Sequence, residues 1–268
     1  MASSKPSTPS LSQHRPGKIL IAFDFDHTIA EENTDVFVRR LLGPEGLPAE
    51  IEAQQRSLGW TKFMGAILQH LHDKGITSNQ IRDLMQRTPL TPGMDVLLRY
   101  LHEKHHVFDC VIISDANSLF IWWILHFTKL EGVFPLSSIY TNPARIDDTD
   151  CLRIDFYHHN STCKLSAPNL CKGRVLQEHI SRMKREENQE YRTVVFIGDG
   201  LNDYCPAVQL AETDYIAARK GYKLIEKIKE DRSAVEASLV PWTNGKDLLD
   251  FVQNLEKTFP LYVPQLVT

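Results

Sequence analysis

Residues 19–28 read ILIAFDFDHT. Four apolar residues and Phe23 lead into two aspartates set two positions apart, the pattern of a buried parallel strand that ends at a site. In an extended chain the side chains alternate between faces, so Asp24 and Asp26 share one side and His27 points away from them. Paired acids of this kind bind a hard cation or divide nucleophilic and acid–base work between them. A strand that merely runs into an acidic turn has the same short motif, so the reading needs support from elsewhere in the chain.

That support lies far downstream. Residues 193–203, TVVFIGDGLND, repeat the design with an apolar run followed by Gly198, Asp199, Gly200, Asn202 and Asp203. Glycines beside a carboxylate let the backbone turn sharply and approach a ligand closely. If both runs belong to one parallel sheet, their acids meet beyond the strand carboxyl ends, where such sheets bind ligands.

These stretches carry a family resemblance. Asp24-Phe25-Asp26-His27-Thr28 resembles the first signature of the haloacid-dehalogenase-like phosphatases, and Gly198-Asp199-Gly200-Leu201-Asn202-Asp203 resembles their fourth. Ser114, in IISDAN, and Lys172, in NLCKG, stand in order where that family has its second and third signatures. NTDVFV, TPGM, TNP, PNLCK, GDGxNDYCP and a later RKGY look like the phosphoethanolamine/phosphocholine phosphatase subfamily. Its relatives include enzymes described as pyridoxal phosphate phosphatases and plant pyrophosphatases. The similarity runs from Lys18 to beyond Trp242.

The length of 268 residues is ample for a hydrophobic core. A hydrophobic share of 42% with 24% charged residues is ordinary globular make-up. The net charge of −4 gives no support to a nucleic-acid partner, which demands a basic face. No stretch approaches the roughly 20 apolar residues that cross a bilayer, so no membrane span is expected. The odd number of cysteines, at positions 110, 151, 163, 171 and 205, is read as reduced thiols of a cytoplasmic protein.

Residues 1–17 are Ser- and Pro-rich without apolar periodicity, the composition of a disordered tail. From 33 to 87 the pattern gives three or four helices, over about 33–42, 48–57, 60–74 and 77–87, and no strand. Strands are expected at 107–113, 137–141, 193–197 and 214–217, and a hairpin over 144–157. Helices are expected at 117–130, 172–184, 202–210 and 244–257, with Trp122, Trp123 and Phe127 on the packing side of the first of these. Strands alternating with helices argue a doubly wound, mainly parallel α/β sheet. The resemblance implies a Rossmann-like core of residues 18–32 and 89–268, with 33–88 inserted as a small helical cap. A cap closing over the site excludes water and favours a small phosphorylated metabolite over a protein substrate.

Phosphoryl transfer requires a positioned nucleophile, neutralisation of the phosphate oxygens and a proton for the leaving group. The resemblance assigns these roles. Asp24 is the nucleophile that forms an aspartyl-phosphate, and Asp26 the acid that protonates the leaving oxygen and then activates water. Ser114 binds a phosphate oxygen, and Lys172 offsets the charge of Asp24 and phosphate. Mg2+ falls to Asp24, the backbone carbonyl of Asp26 and Asp199, with Asp203 in support. Taken alone, Ser114 reads first as a helix cap and Lys172 first as a solvated helix-start lysine, and only their shared order with the two acidic signatures favours the catalytic roles. Phosphocholine and phosphoethanolamine are the expected substrates, with pyridoxal phosphate or pyrophosphate, or phosphoryl transfer to an acceptor other than water, as alternatives.

In the subfamily, acids at the positions of Asp35 and Asp115 are implicated in holding the amino head group. A carboxylate pair suits a cationic head, and Trp60 or Phe63 would add a cation–π contact. Asp35 reads equally as a first-turn acid of helix 33–42, and the two aromatics as core. The segment HHNSTCKLSAPNLC departs from the subfamily, where a CxxC precedes the final cysteine. Here Ser166 stands in for one cysteine and Ser161 for a histidine. His159, Cys163 and Cys171 make three zinc ligands, four if His158 joins, and buried reduced thiols are the other reading. RKGY, from Arg219 to Tyr222, reads as a basic helix start on the surface.

Overall fold

The computed structural model describes residues 17–259, so the tail expected over 1–17 lies outside the described residues except for Gly17. At the centre is β1 (Lys18–Phe23), whose residues from Ile19 onward are fully buried. After it come α1 (Thr34–Phe37), a 3-10 stretch (Val38–Glu45), α2 (Ala49–Glu52), α3 (Gln55–Leu58), α4 (Trp60–Asp73) and α5 (Ser78–Met85). The chain continues through α6 (Met94–Glu103), β2 (Phe108–Asn117), α7 (Ser118–Thr128) and β3 (Ile139–Asn142), then a hairpin of β4 (Ala144–Ile146) and β5 (Leu152–Ile154). It closes with α8 (Lys172–Glu187), β6 (Tyr191–Gly198), α9 (Tyr204–Ala207), β7 (Tyr215–Arg219), α10 (Lys223–Glu230), β8 (Ser238–Trp242) and α11 (Gly245–Thr258).

Six of the described strands form one parallel sheet in the order β3-β2-β1-β6-β7-β8. This is the doubly wound α/β architecture. The chain leaves β1 toward one edge through β2 and β3, then crosses back to lay β6 on the other side of β1. The crevice between β1 and β6 is therefore the topological switch point, where such sheets bind ligands. Phe23 is in register with Ile197, and the Asp24 amide donates to the Ile197 carbonyl at 2.9 Å, so Asp24 and Asp199 leave their strands side by side.

Alternation along β1 feeds two cores. Ile19, Ile21 and Phe23 pack with α4, α6, α7 and α11, whereas Leu20 and Ala22 pack with α8 and α10. Burial on both faces explains the unbroken apolar runs of β1 and β6. The two faces also account for the helices: α4 buries Phe63, Met64, Ile67, Leu68 and Leu71 at helical spacing, and α5 starts at a capping box between Thr77 and Gln80.

The expected helices over 33–42 and 48–57 are only single turns joined by the 3-10 stretch. Gly43, Gly46 and Gly59 take positive φ there, and Pro44 and Pro48 break the ladder of hydrogen bonds. In α7 only Trp123 of the three expected aromatics is buried, because Trp122 and Phe127 face outward at 36% and 59% exposure. Phe120, Ile121, Ile124 and Leu125 take the inner face instead. Helix α10 starts directly after RKGY, where a helix start was read, whereas strand β8 was not anticipated; it is an edge strand that carries Pro241, a residue that reads against a strand.

Near the sheet's lower layer α6 and α11 meet at Gly93 and Gly245. The Gly245 amide donates to the Pro92 carbonyl at 2.8 Å, and a Cβ on Gly245 would collide with the backbone of Gly93 and Met94. Gly245→Ala should lower the free energy of unfolding by about 1–3 kcal/mol through forced separation of the two helices. Urea denaturation checks this, and an unchanged midpoint would contradict it.

Candidate active site

The turn after β1 places the first two acids. Beyond Phe23 the chain stops being extended: the amides of Thr28, Ile29 and Ala30 all donate to the Phe25 carbonyl at 3.2, 2.8 and 2.9 Å. His27 adopts a φ of 55° in this turn. The alternation argument therefore fails past Asp24, and His27, expected to point away, lines the same cavity as Asp24 and Asp26. A tight turn directly after the strand was the missed feature, and no Gly or Pro marked it.

Asp199 and Asp203 come from the turn after β6. The two oxygens of Asp203 are committed: one accepts from Lys172 Nζ at 2.7 Å, the other from the amides of Asp199 and Gly200 at 2.9 and 3.0 Å. A Cβ on Gly198 would collide with this carboxylate, so the first glycine of the signature makes room for Asp203 rather than for a turn. Lys172, the first residue of α8, also lies 2.8 Å from Asp24 Oδ1 and is 1% exposed. Removing one partner of such a buried pair costs about 3–5 kcal/mol.

The charges do not balance. Oxygens of Asp24, Asp199 and Asp203 lie within 4.8 Å of one another, and Asp26 is close enough to feel Asp24. Among the described residues, Lys172 is the ammonium that faces them. Burial penalises its charge, but Asp203, Asp24 and Asp115 outweigh that and hold it protonated well above the usual lysine range. Burial, then repulsion from Asp24 and Asp203, pushes the Asp199 carboxyl up to about 9, with Lys172 only partly offsetting it. Burial also lifts Asp203 to about 7 against the pull of Lys172. Asp26 is raised by burial and then by Asp35, although the amide and hydroxyl of Thr34 donate to it at 3.1 and 2.8 Å. A donor set of clustered carboxylates with excess negative charge fits a hard divalent cation.

Ser114, 1% exposed, ends the regular part of β2 and lines the cavity, with its Oγ accepting from the Ala116 amide at 3.2 Å. It is not the cap of α7, since Asn117 caps that helix through the Phe120 amide. Asp115 is held by two asparagines, accepting from Asn169 and from Asn202 at 2.8 Å each. Asp35 does not cap α1, a role that Asn33 fills. It is 4% exposed, accepts from Trp60 Nε1 at 2.7 Å, and has a second oxygen with no hydrogen-bond partner among the described residues. Burial lifts its carboxyl to about 7, with Trp60 opposing and Asp115 reinforcing.

One cavity of about 280 Å³ is lined by Asp24, Asp26, Ser114 and Asp199 together with Asp35, Trp60 and Asp115, whereas Lys172 and Asp203 are not among its lining residues. Phe63 is fully buried core and does not reach it.

Arg219 was misjudged from the sequence. It is 5% exposed at the end of β7, donates to the His27 carbonyl at 2.6 Å and to Glu31 at 2.7 Å, and packs between the rings of Tyr222 and Trp242. It thus pins the turn bearing Asp26 and His27 to the far half of the sheet.

The fold is haloacid-dehalogenase-like, and the comparisons define the protein as a phosphatase, a phosphoric monoester hydrolase. The chain belongs to the Putative Phosphatase family, whose model matches residues 19–256. It is 36% identical over 243 residues to a pyridoxal phosphate phosphatase of Bos taurus, covering 90% of this chain and 99% of that protein. It is 31% identical over 251 residues to a phosphoethanolamine/phosphocholine phosphatase of Gallus gallus, covering 92% of each. Among solved structures, a phosphoserine phosphatase with a phospho-aspartyl intermediate analogue shares the fold at a TM-score of 0.58 and 18% identity, covering 88% of this chain and 99% of that one. Among the described residues no helix is long and apolar enough to cross a membrane.

The raised carboxyls predict a pH dependence of stability. A group whose folded pKa exceeds its unfolded value stabilises fully below the unfolded pKa and loses that contribution as pH rises through the folded one. Without divalent cations the melting temperature should therefore fall from the ordinary carboxyl pKa of 3.8 upward, with the contribution of Asp35 and Asp203 lost by about pH 7 and that of Asp199 by about pH 9. Asp199→Asn should flatten the upper part of the curve. Thermal denaturation in a chelator checks this, and a flat or rising profile in the parent would contradict it.

Proposed function

We propose that the protein is a Mg2+-dependent phosphatase of small phosphomonoesters that works through an aspartyl-phosphate on Asp24, with amino-alcohol phosphates as its substrates. The observation that carries this reading is one cavity with a crowded acidic floor and a buried, half-partnered carboxylate, Asp35, opposite it. Asp24 and Asp199 would hold the cation together with the Asp26 backbone carbonyl, and Asp203 would support them by fixing Lys172. Mg2+, when bound, supplies neutralisation of the phosphoryl oxygens and of the acid cluster.

Asp24 attacks phosphorus, and its carboxylate is oriented by Lys172 and by the Phe25 amide, which donates to it at 2.7 Å. Asp26, raised by its buried surroundings, carries the proton that the leaving alkoxide needs, and as a base it then takes a proton from the attacking water. Ser114 donates to a phosphoryl oxygen. Residues 33–88 act as a cap that brings Asp35 and Trp60 over the substrate and limits its size.

Asp35 and Asp115 face the head group. The ammonium of phosphoethanolamine donates to the unpartnered oxygen of Asp35, the quaternary ammonium of phosphocholine, which has no N–H, meets it by charge alone, and either relieves the repulsion between the two acids. Pyridoxal phosphate is the second reading, favoured by the 36% identical relative and by Trp60 as a flat wall for an aromatic ring.

The test is Mg2+-dependent phosphate release from phosphocholine, phosphoethanolamine, pyridoxal phosphate and p-nitrophenyl phosphate. Amino-alcohol phosphates should lead. Asp35→Ala should raise the KM for phosphocholine on the order of tenfold, the loss of roughly one partly buried charge–charge attraction, and change that for p-nitrophenyl phosphate little. Equal effects on both substrates would remove the recognition role, and a lead by pyridoxal phosphate would favour the second reading.

A further inference from the structure

Behind Lys172 lies a second cluster of ligating side chains, outside the cavity. Cys163 belongs to the loop between β5 and α8, Cys171 caps the N-terminal end of α8, and Cys205 sits in α9. The Cys205 sulfur is 3.5 Å from that of Cys163 and 3.6 Å from that of Cys171, and all three lie within 4.8 Å of one another. Zinc–sulfur bonds of about 2.3 Å at tetrahedral angles separate the sulfurs by about 3.8 Å. A disulfide needs about 2.05 Å and joins only two of them.

Hydrogen-bond donors converge on the sulfurs, although burial pushes the Cys205 thiol up to about 12. The Leu165 amide hydrogen-bonds the Cys163 sulfur, and the Gly173 amide hydrogen-bonds that of Cys205. Gln209 Nε2 donates to the same Cys205 sulfur at 3.4 Å. Neutral packed thiols have no need of three N–H donors, whereas metal-bound thiolates are oriented and stabilised by them. The loop is also built in advance: the Asn160 side chain accepts from the Cys163 amide at 3.0 Å and donates to the Cys163 carbonyl at 2.8 Å. The Ser166 hydroxyl lies 3.5 Å from the Cys163 sulfur and also hydrogen-bonds that of Cys205, marking an oxygen-lined fourth side.

We infer that Cys163, Cys171 and Cys205 bind a thiophilic divalent ion, zinc foremost, with a solvent oxygen beside Ser166 completing a tetrahedron. The two histidines that the sequence offered as ligands are used otherwise. His158 Nε2 accepts from the Cys171 amide at 3.0 Å, and the His159 ring packs on Phe156. Cys205, remote in sequence from the other two, takes their place. As the ion binds, each of the three thiols gives its proton to solvent, leaving a singly negative centre at the positive end of α8.

The centre is structural. None of the three cysteines lines the catalytic cavity. Lys172 directly follows Cys171, and Asp203 lies two positions before Cys205, so the ion clamps the Lys172–Asp203 pair from behind and fastens residues 159–171 to α8 and α9.

The experiment is metal analysis of the full chain purified under reducing conditions in Mg2+ buffer, followed by Co2+ replacement read by absorbance. One equivalent of zinc per chain is expected, and Co2+ should give a sulfur-to-cobalt charge-transfer band. Asp24→Asn should keep both, because it alters only the catalytic acids. Cys163→Ser, at a half-buried position that tolerates the change, should lose both and lower the melting temperature, with chelator no longer affecting it. Absence of tightly bound metal and of the band in the folded parent would overturn the inference. So would metal and band unchanged in Cys163→Ser, or a mass two hydrogens lower, which signals a disulfide between two of the cysteines instead.

Discussion

Carboxylates from Asp24, Asp26, Asp199 and Asp203 share the end of one parallel sheet with the ammonium of Lys172, and the protein is built around tolerating that excess. An uncompensated buried carboxylate is expensive, and burial answers the expense by raising its pKa. The structure reduces the cost without removing it. Lys172 is clamped between Asp24 and Asp203, and backbone amides are spent on Asp24 and Asp203. What remains is an affinity for positive charge, which a divalent cation on one side and a cationic head group on the other are both suited to meet.

The scaffold supplies the rigidity this requires. The acids leave adjacent central strands, β1 and β6, whose residues next to the site are buried on both faces, so their positions are fixed by the packed core. Arg219 extends that rigidity to the turn after β1 by holding the His27 carbonyl and Glu31 from the end of β7. Asn169 and Asn202 do the same for Asp115, bringing residues from two signatures onto one carboxylate. The inserted helices answer to a different demand. Their turns are short because Gly43, Gly46 and Gly59 take positive φ and interrupt the helical hydrogen bonds.

Much of this was legible in the sequence because strong local signals marked it. Apolar runs ending in acids gave β1, β6 and the switch point, and the order of Asp24, Ser114, Lys172 and Asp199 gave the residues that the fold brings together. Three features stayed hidden for physical reasons. His27 enters the cavity because a turn replaces the strand one residue after Phe23, and alternation says nothing once the chain stops being extended. Arg219 is buried by stacking on Trp242, a contact between strands that only the sheet order creates. Cys205 joins Cys163 and Cys171 across the helix pair α8 and α9, so spacing within the loop pointed to histidines instead. Conversely, a neighbour rules out the capping reading of Asp35, since Asn33 takes that position and Asp35 lines the cavity.

The central claim, that Asp24 carries the phosphoryl group during turnover, is tested most directly by trapping it. Protein quenched in acid during turnover of phosphocholine with Mg2+ would be digested and its peptides mapped by mass. The account predicts a hydroxylamine-labile phosphate on the peptide containing Asp24, and its absence in Asp24→Asn. Phosphate on any other residue, or turnover with no phosphorylated peptide from a protein that is active under the same conditions, would contradict it.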